Sequence, residues 1–340
     1  MWNTIYNGIN RVNTLISVIP DINDPAFNND AALAEARFLR AYHYFNLINY
    51  WGGSPTGYGN NGAGVPLKLT PTLTAADAEP LARASEGDVM AQVYQDIDFA
   101  IANLPASFSG IAGKGRATKA AAIALKSRIA LYRKDYQLAA DLAKQVMDLN
   151  KFSLVANYVD IYANKNTSEA IWELQFDPVN SNSIAFFWFP TSLGGRNEVT
   201  PATSLSSVHE ANDKRLPVNV NGSYTLKYTK IAGGDDNVLL IRYAEVLLNR
   251  AEALARLGGS ENLAEAVTLL NQIRVRAGLP RVFGLTVDGI FVQDAVLDQT
   301  AVVNAILKER RIELAHEGHY WFDLRRTNST GLENGNKNLW

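Results

Sequence analysis

The chain has 340 residues, of which 47% are apolar and 19% charged, the ordinary balance of a globular protein long enough to bury a large core. Its net charge of −2 leaves no electrostatic footprint for nucleic acid or an anionic membrane surface, and no apolar run approaches the ~20 residues that span a bilayer. Cysteine is absent, which excludes disulfides, thiolate metal sites and cysteine nucleophiles, whereas 6 Trp, 14 Tyr and 13 Phe suit either a large core or a stacking surface.

In chain order, most of the sequence reads as paired helices. Ile5, Ile9, Val12, Leu15 and Ile16 form one stripe of a helix over Trp2–Ile19, which Pro20 stops. Asp30–Trp51 follows, with Leu33, Ala36, Phe38, Ala41, Phe45 and Ile48 as core candidates. A glycine-rich stretch over 52–69 leads to a third helix, Glu86–Leu104, closed by Pro105. Thr118–Leu149 reads as a helical hairpin whose Lys134-Asp135-Tyr136 turn resembles that of a tetratricopeptide repeat (TPR). Lys134 stands where that turn usually has glycine, and Lys126 where a large apolar residue is usual. Residues 151–236 are rich in Asn, Ser, Gly and Pro around one strand, Ala170–Phe176, and their aromatics argue against disorder. Val238–Leu257 and Leu263–Ala277 form a second hairpin across Gly258-Gly259. In the last helix Val303, Ile306, Leu307, Leu314 and Ala315 make the apolar face, and Gly318 ends it in a left-handed conformation. Glu309, Arg310, Arg311 and Glu313 occupy its other face, at spacings that pair charges along one helix. The expected fold is a single, all-α dominated domain of TPR-like hairpins, with its helical core over 1–150 and 237–327 and an irregular, partly β insertion over 151–236.

No catalytic residue, metal site or cofactor is expected. His316-Glu317-Gly318-His319 spaces its histidines by three with a glycine between, whereas the zinc protease motif needs four along one helix face. There is no Gly-x-Ser-x-Gly elbow, and Gly113-Lys114-Gly115-Arg116 lacks phosphate-loop spacing. Trp321, Phe322 and Asp323 read as structural, locking the preceding helix to the core, with Asp323 pairing Arg325 or a nearby backbone group. Arg242, Glu245 and Glu252 read as polar positions on a packed hairpin. Sugars present flat apolar C–H faces ringed by hydroxyls, so a protein grips them with exposed rings plus amide, carboxylate or guanidinium groups. Two stretches offer that combination: Trp51 with Tyr58, Asn60 and Asn61, and Phe186 and Trp188 with Arg196 and Asn197. In an extended Phe186–Phe189 run, Phe186 and Trp188 share one face and Phe187 and Phe189 the other, so at least one ring is free for a ligand.

Several separated blocks carry a family resemblance. They are Ala34-Glu35-Ala36-Arg37-Phe38-Leu39-Arg40-Ala41, Val65-Pro66-Leu67, Ala117-Thr118-Lys119-Ala120-Ala121, Leu240 to Leu248 with Ala251-Glu252-Ala253-Leu254, and Leu270 to Leu279. With Ala301 to Asn328, which closes on Tyr320-Trp321-Phe322-Asp323-Leu324-Arg325-Arg326, they occur in the order of the SusD/RagB family of surface nutrient-binding lipoproteins, which the chain resembles. The resemblance implies a longer protein, with a lipoprotein signal whose cysteine takes the lipid and a further C-terminal tail. It also implies location on the outward face of the outer membrane and capture of an oligosaccharide, or of a peptide nutrient. The ligand would pass to a SusC-like TonB-dependent transporter. A TPR-type peptide-binding scaffold and, behind it, an α-helical glycoside hydrolase are the rival readings.

Overall fold

The computed structural model describes residues 1–53 and 62–327. Its frame is a succession of long helices: α1 (Trp2–Val18), α2 (Asn29–Trp51), α3 (Glu86–Asn103), α4 (Lys119–Tyr132) and α5 (Tyr136–Asp148). Their starts follow local chemistry, because the side chains of Asn28, Ser85, Thr118 and Asp135 each accept a hydrogen bond from a backbone N–H of the first turn. Between α2 and α3, β1 (Ala63–Pro66) and β2 (Arg83–Ser85) form a small antiparallel ribbon. Alanines let α4 be buried on every side, so it packs against α2, α3 and α5 at once. Lys126, the residue out of pattern in that helix, pairs with Asp98 and lies over the Tyr94 ring. Lys134 in the following turn has φ +64°, the left-handed conformation that explains why glycine is usual there.

The middle of the chain is short elements joined by loops: α6 (Asp160–Ala163), β3 (Ala170–Leu174), α7 (Ile184–Trp188), α8 (Thr203–Ser206) and α9 (Leu216–Asn219). Then come β4 (Val238–Arg242), α10 (Tyr243–Leu257), α11 (Ser260–Arg276), a hairpin of β5 (Gly284–Val287) and β6 (Ile290–Gln293), α12 (Gln299–Glu313) and α13 (Tyr320–Arg326). Helix α10 is the hub of this half, packing against α4, α5, α11 and α12. Among the described residues no helix is long and apolar enough to cross a membrane.

Three local expectations are corrected. Val238–Arg242 is not the first turn of a helix but a strand paired antiparallel with β3, with Leu174 opposite Val238. A short run of apolar residues cannot be told apart as strand or helix by periodicity, and here a waiting partner strand decides it. Phe186–Trp188 is not extended but lies within the five-residue helix α7, so the predicted alternation of faces does not apply. Finally, the charges of Glu309, Arg310, Arg311 and Glu313 are not answered along α12 alone; all four residues are buried, and Glu309, Arg310 and Glu313 bond to other elements.

Those bonds form the most unusual feature of the interior. Arg242 donates to Glu169 at 2.6 Å, to Glu313 at 2.7 Å and to Glu317 at 2.7 Å. Arg215 reaches Glu313 at 3.0 Å and Asp213 at 2.9 Å, while Arg276 joins Glu169 at 3.2 Å and also Glu313. Lys227 donates to Glu317 at 2.7 Å and to the Ala315 carbonyl at 2.6 Å. Four positive groups and several carboxylates are thereby desolvated together, and the irregular segment is tied by Arg215 and Lys227 to the end of α12. The arginines hold Glu313 well below the ordinary carboxylate range despite its burial, and Glu317 falls to about 2 against its own burial because Arg242 and Lys227 flank it. A second cluster does the same for α13. There Asp323 pairs with Arg310 and Arg326, and not with Arg325 as expected, while Arg326 forks onto Glu252 at 2.6 Å.

Candidate functional site

Helix α2 is apolar on most of its surface but carries Tyr42, Asn46, Asn49 and Tyr50 at spacings of four, three and one, which places them on one face near its C-terminal end. That face meets β4 and the linker between α12 and α13. The result is a cavity of about 180 Å³ lined by Tyr42, Asn46, Asn49 and Tyr50 from α2 and by Tyr228, His316, Glu317, His319 and Phe322 across it. Binding clefts that enclose drug-sized ligands run to roughly 300–1,000 Å³, so this one suits the end or edge of a larger ligand lying over its mouth. Asn46 donates its amide N–H to the Tyr42 carbonyl at 2.9 Å, and its amide oxygen is free to accept. Tyr50 is exposed at 41% with its ring 5.0 Å from that of Phe322.

Rings extend from this wall in an unbroken series. Tyr50 contacts Trp51 at 5.3 Å, Trp51 meets Trp2 edge-on at 5.1 Å, and Trp2 contacts Tyr6 at 4.9 Å. Trp51 is half-buried, so it serves both the core and the surface. Arg325 fixes this corner by donating to the carbonyls of Asn49 and Gly52, on either side of Tyr50 and Trp51. Tyr58, Asn60 and Asn61, expected beside Trp51, lie outside the described residues.

The second expected cluster is assembled around α7. The backbone N–H of Arg196 donates to the Phe186 carbonyl and that of Asn197 to the Phe189 carbonyl, both at 2.8 Å, so the four residues are brought to one place. Arg196 is exposed and paired with Glu198, Asn197 is exposed, and Phe187 rather than Phe186 or Trp188 is the most open ring. Trp188 is half-buried and stacks edge-on against His316, a lining residue of the cavity, at 4.6 Å. Each expected aromatic locus is therefore one contact from the same cavity, though Trp51 and Trp188 do not touch each other. Of the three residues read as structural, Phe322 and Asp323 are buried as expected, but Trp321 is 45% exposed.

Electrostatics keep the cavity's histidines neutral. Burial lowers His316 to about 4, helped by nearby Lys227, and burial lowers His319 to about 4 against the pull of Glu245. His316 Nε2 lies 2.9 Å from the Asn219 carbonyl, which can only accept, so Nε2 carries the proton and Nδ1 is left as an acceptor. Glu317 is the one carboxylate among the described lining residues, and both its oxygens are held by Arg242 and Lys227. The arrangement can stack and hydrogen-bond a neutral polyol.

A pH dependence follows. Both histidines have folded values near 4 against an ordinary 6.5, so between those limits the unfolded chain binds more protons than the folded one. Their contribution is complete above pH 6.5 and is lost as the pH falls toward 4, by up to about 1.4 kcal/mol per pH unit for each. Urea midpoints measured from pH 8 to 4.5 should be level above pH 7 and fall below 6.5, with a shallower fall in His316→Gln. A midpoint level down to pH 4.5 would show that these rings are not buried neutral.

Residues 196–339 match the model described as SusD family, and residues 1–131 match the model described as starch-binding associating with outer membrane. A SusD-like protein of Formosa agariphila is 28% identical over 96% of this chain and 72% of its own length. A crystal structure of a SusD superfamily protein from Bacteroides fragilis superposes with a TM-score of 0.78 at 26% identity, covering 96% of this chain and 74% of that one. A structure described as a laminarin binding SusD-like protein gives a TM-score of 0.74 at 26% identity, covering 97% and 78%.

The lining residues Tyr42, Asn46, Asn49 and Tyr50 escaped the sequence reading, although a polar stripe on an apolar helix was visible there. Tyr228, His316 and His319 left no such signal, because only the tertiary fold brings them opposite α2.

Proposed function

This chain belongs to the SusD family, and on that footing we propose that it captures glycans at the outer membrane surface and delivers them to a SusC-like TonB-dependent transporter. The observation that carries this reading is the run of rings from Trp2 through Trp51 and Tyr50 to the polar cavity at Phe322. These rings, tilted or edge-on to one another, offer faces and edges to several sugar units of one chain, with the last turned into a polar pocket. Binding at the pore mouth raises local ligand concentration there, and modest affinity suffices because the ligand must leave again. A hydrolase would need two facing carboxyls, and among the described residues of the cavity wall Glu317 is the one carboxylate and is ion-paired.

The laminarin-binding neighbour makes β-glucans the first ligands to try. Isothermal titration with laminari-oligosaccharides, malto-oligosaccharides and unlabelled hexapeptides should give saturable binding to a glycan of several residues and none to its monosaccharide. Binding to peptides alone would transfer the site to the rival scaffold reading.

A further inference from the structure

We propose that the open edge of β6, with the groove it shares with α11, is a docking site for an extended, acidic polypeptide segment that adds as a third strand. Nothing in this rests on the glycan site. In the hairpin Leu285 pairs with Val292 and Val287 with Ile290, across an Asp288-Gly289 turn with φ +49° and +80°. The Asp294 N–H donates to the Phe283 carbonyl at 3.0 Å, which fixes the phase of the ladder. Residues 285, 287, 290 and 292 turn their backbone groups toward each other, so the N–H and C=O of Phe291 and Gln293 face away from the partner strand. No bond to those outward groups is present among the described residues.

Sheet edges of monomeric proteins are usually blunted by a charge, a proline or a bulge. Ile290-Phe291-Val292-Gln293 has none of these, and the hairpin's outer face leaves Leu285 72% and Ile290 69% exposed. A two-stranded ribbon of this kind gains most from a third strand. Beside the edge lies a groove of about 600 Å³, floored by Thr268, Gln272 and Val275 of α11 and walled by Leu154, Phe291 and Gln293. A strand added to β6 would put alternate side chains into that groove and the others outward, beside Ile290 and Val292. A line of backbone donors and acceptors matches a polypeptide, whereas a sugar has no such repeat.

Charge selects among polypeptides. Among the described residues the groove's two charged side chains are both arginines and no carboxylate lines it. Arg276 is ion-paired with Glu169 and Glu313, but Arg281 is exposed over the Phe291 ring at 5.4 Å, with no carboxylate within ion-pair distance among the described residues. Asp294 faces a separate groove with the start of α11. The unneutralised guanidinium calls for an acidic partner and disfavours a second copy of this chain, whose edge would bring a like charge.

Fluorescence anisotropy with labelled acetyl-(Glu-Val)3 and acetyl-(Lys-Val)3 amides tests this. The acidic peptide should bind saturably and at least about tenfold more tightly than the basic one. Gln293→Pro, which removes an outward N–H that the native hairpin does not use, should weaken the acidic peptide at least about tenfold. Arg281→Glu should reverse the preference; because that side chain is exposed, its readout stands even if the proline variant loosens the hairpin. Failure to saturate at millimolar peptide, equal affinity for both peptides, or unchanged affinity in both variants would overturn the proposal. So would sedimentation showing a peptide-free dimer that Gln293→Pro dissociates, since the occupant would then be a second copy.

Discussion

Arg242→Ala is expected to lower the stability of the whole domain by about 3–5 kcal/mol. The alanine leaves the carboxylates of Glu169, Glu313 and Glu317 with four fewer N–H bonds among them, and the Glu313 carbonyl loses a fifth. A pair buried this deeply returns little net energy over an apolar replacement, but removing one partner exposes the full desolvation cost of the others. Lys144→Ala, which breaks the exposed Lys144–Asp148 pair at one helical turn, should change stability by no more than about 0.5 kcal/mol. Urea denaturation of both variants separates the cases. If Arg242→Ala shifts the midpoint no further than Lys144→Ala does, the cluster is solvated and its proposed part in shaping the cavity wall fails. That part follows from Glu317, which lines the cavity while being clamped by Arg242 and Lys227.

The second large effect concerns binding. Tyr50→Ala should weaken the glycan by about tenfold or more, roughly 1.4 kcal/mol or above, because Tyr50 is the exposed ring at the cavity mouth. Trp188→Ala should weaken it as well by releasing His316, against which Trp188 stacks. Neither should disturb the fold much, since Tyr50 is exposed and Trp188 half-buried in a short surface helix. Calorimetric titration of the two variants decides. Affinities equal to that of the parent in both would remove the cavity as the site.

The frame of the fold was legible because its helices carry their own instructions. Asn28, Ser85, Thr118 and Asp135 cap, Pro20 and Pro105 stop, and the alanines of α4 announce a helix approached from all sides. What was hidden depends on partners distant in sequence. Val238–Arg242 becomes a strand only because β3 lies ready, and Glu309 to Glu313 look like charges paired along one helix until Arg215, Arg242 and Arg276 arrive from other segments. A charge pattern compatible with pairing along one helix says nothing about whether water is present. The candidate site was half legible for the same reason. Trp51 and Trp188 stood out by residue type, whereas the cavity between them is made by α2, β4 and the α12–α13 linker meeting in space.

Fluorine NMR of 5-fluorotryptophan-labelled protein, titrated with whichever oligosaccharide saturates in calorimetry, asks the decisive question of where the ligand sits. The signals of Trp51 and Trp188 should move together along the titration while that of Trp172, sealed in the core, stays still. Movement at Trp321 with both of those unmoved would place the ligand elsewhere and contradict the site.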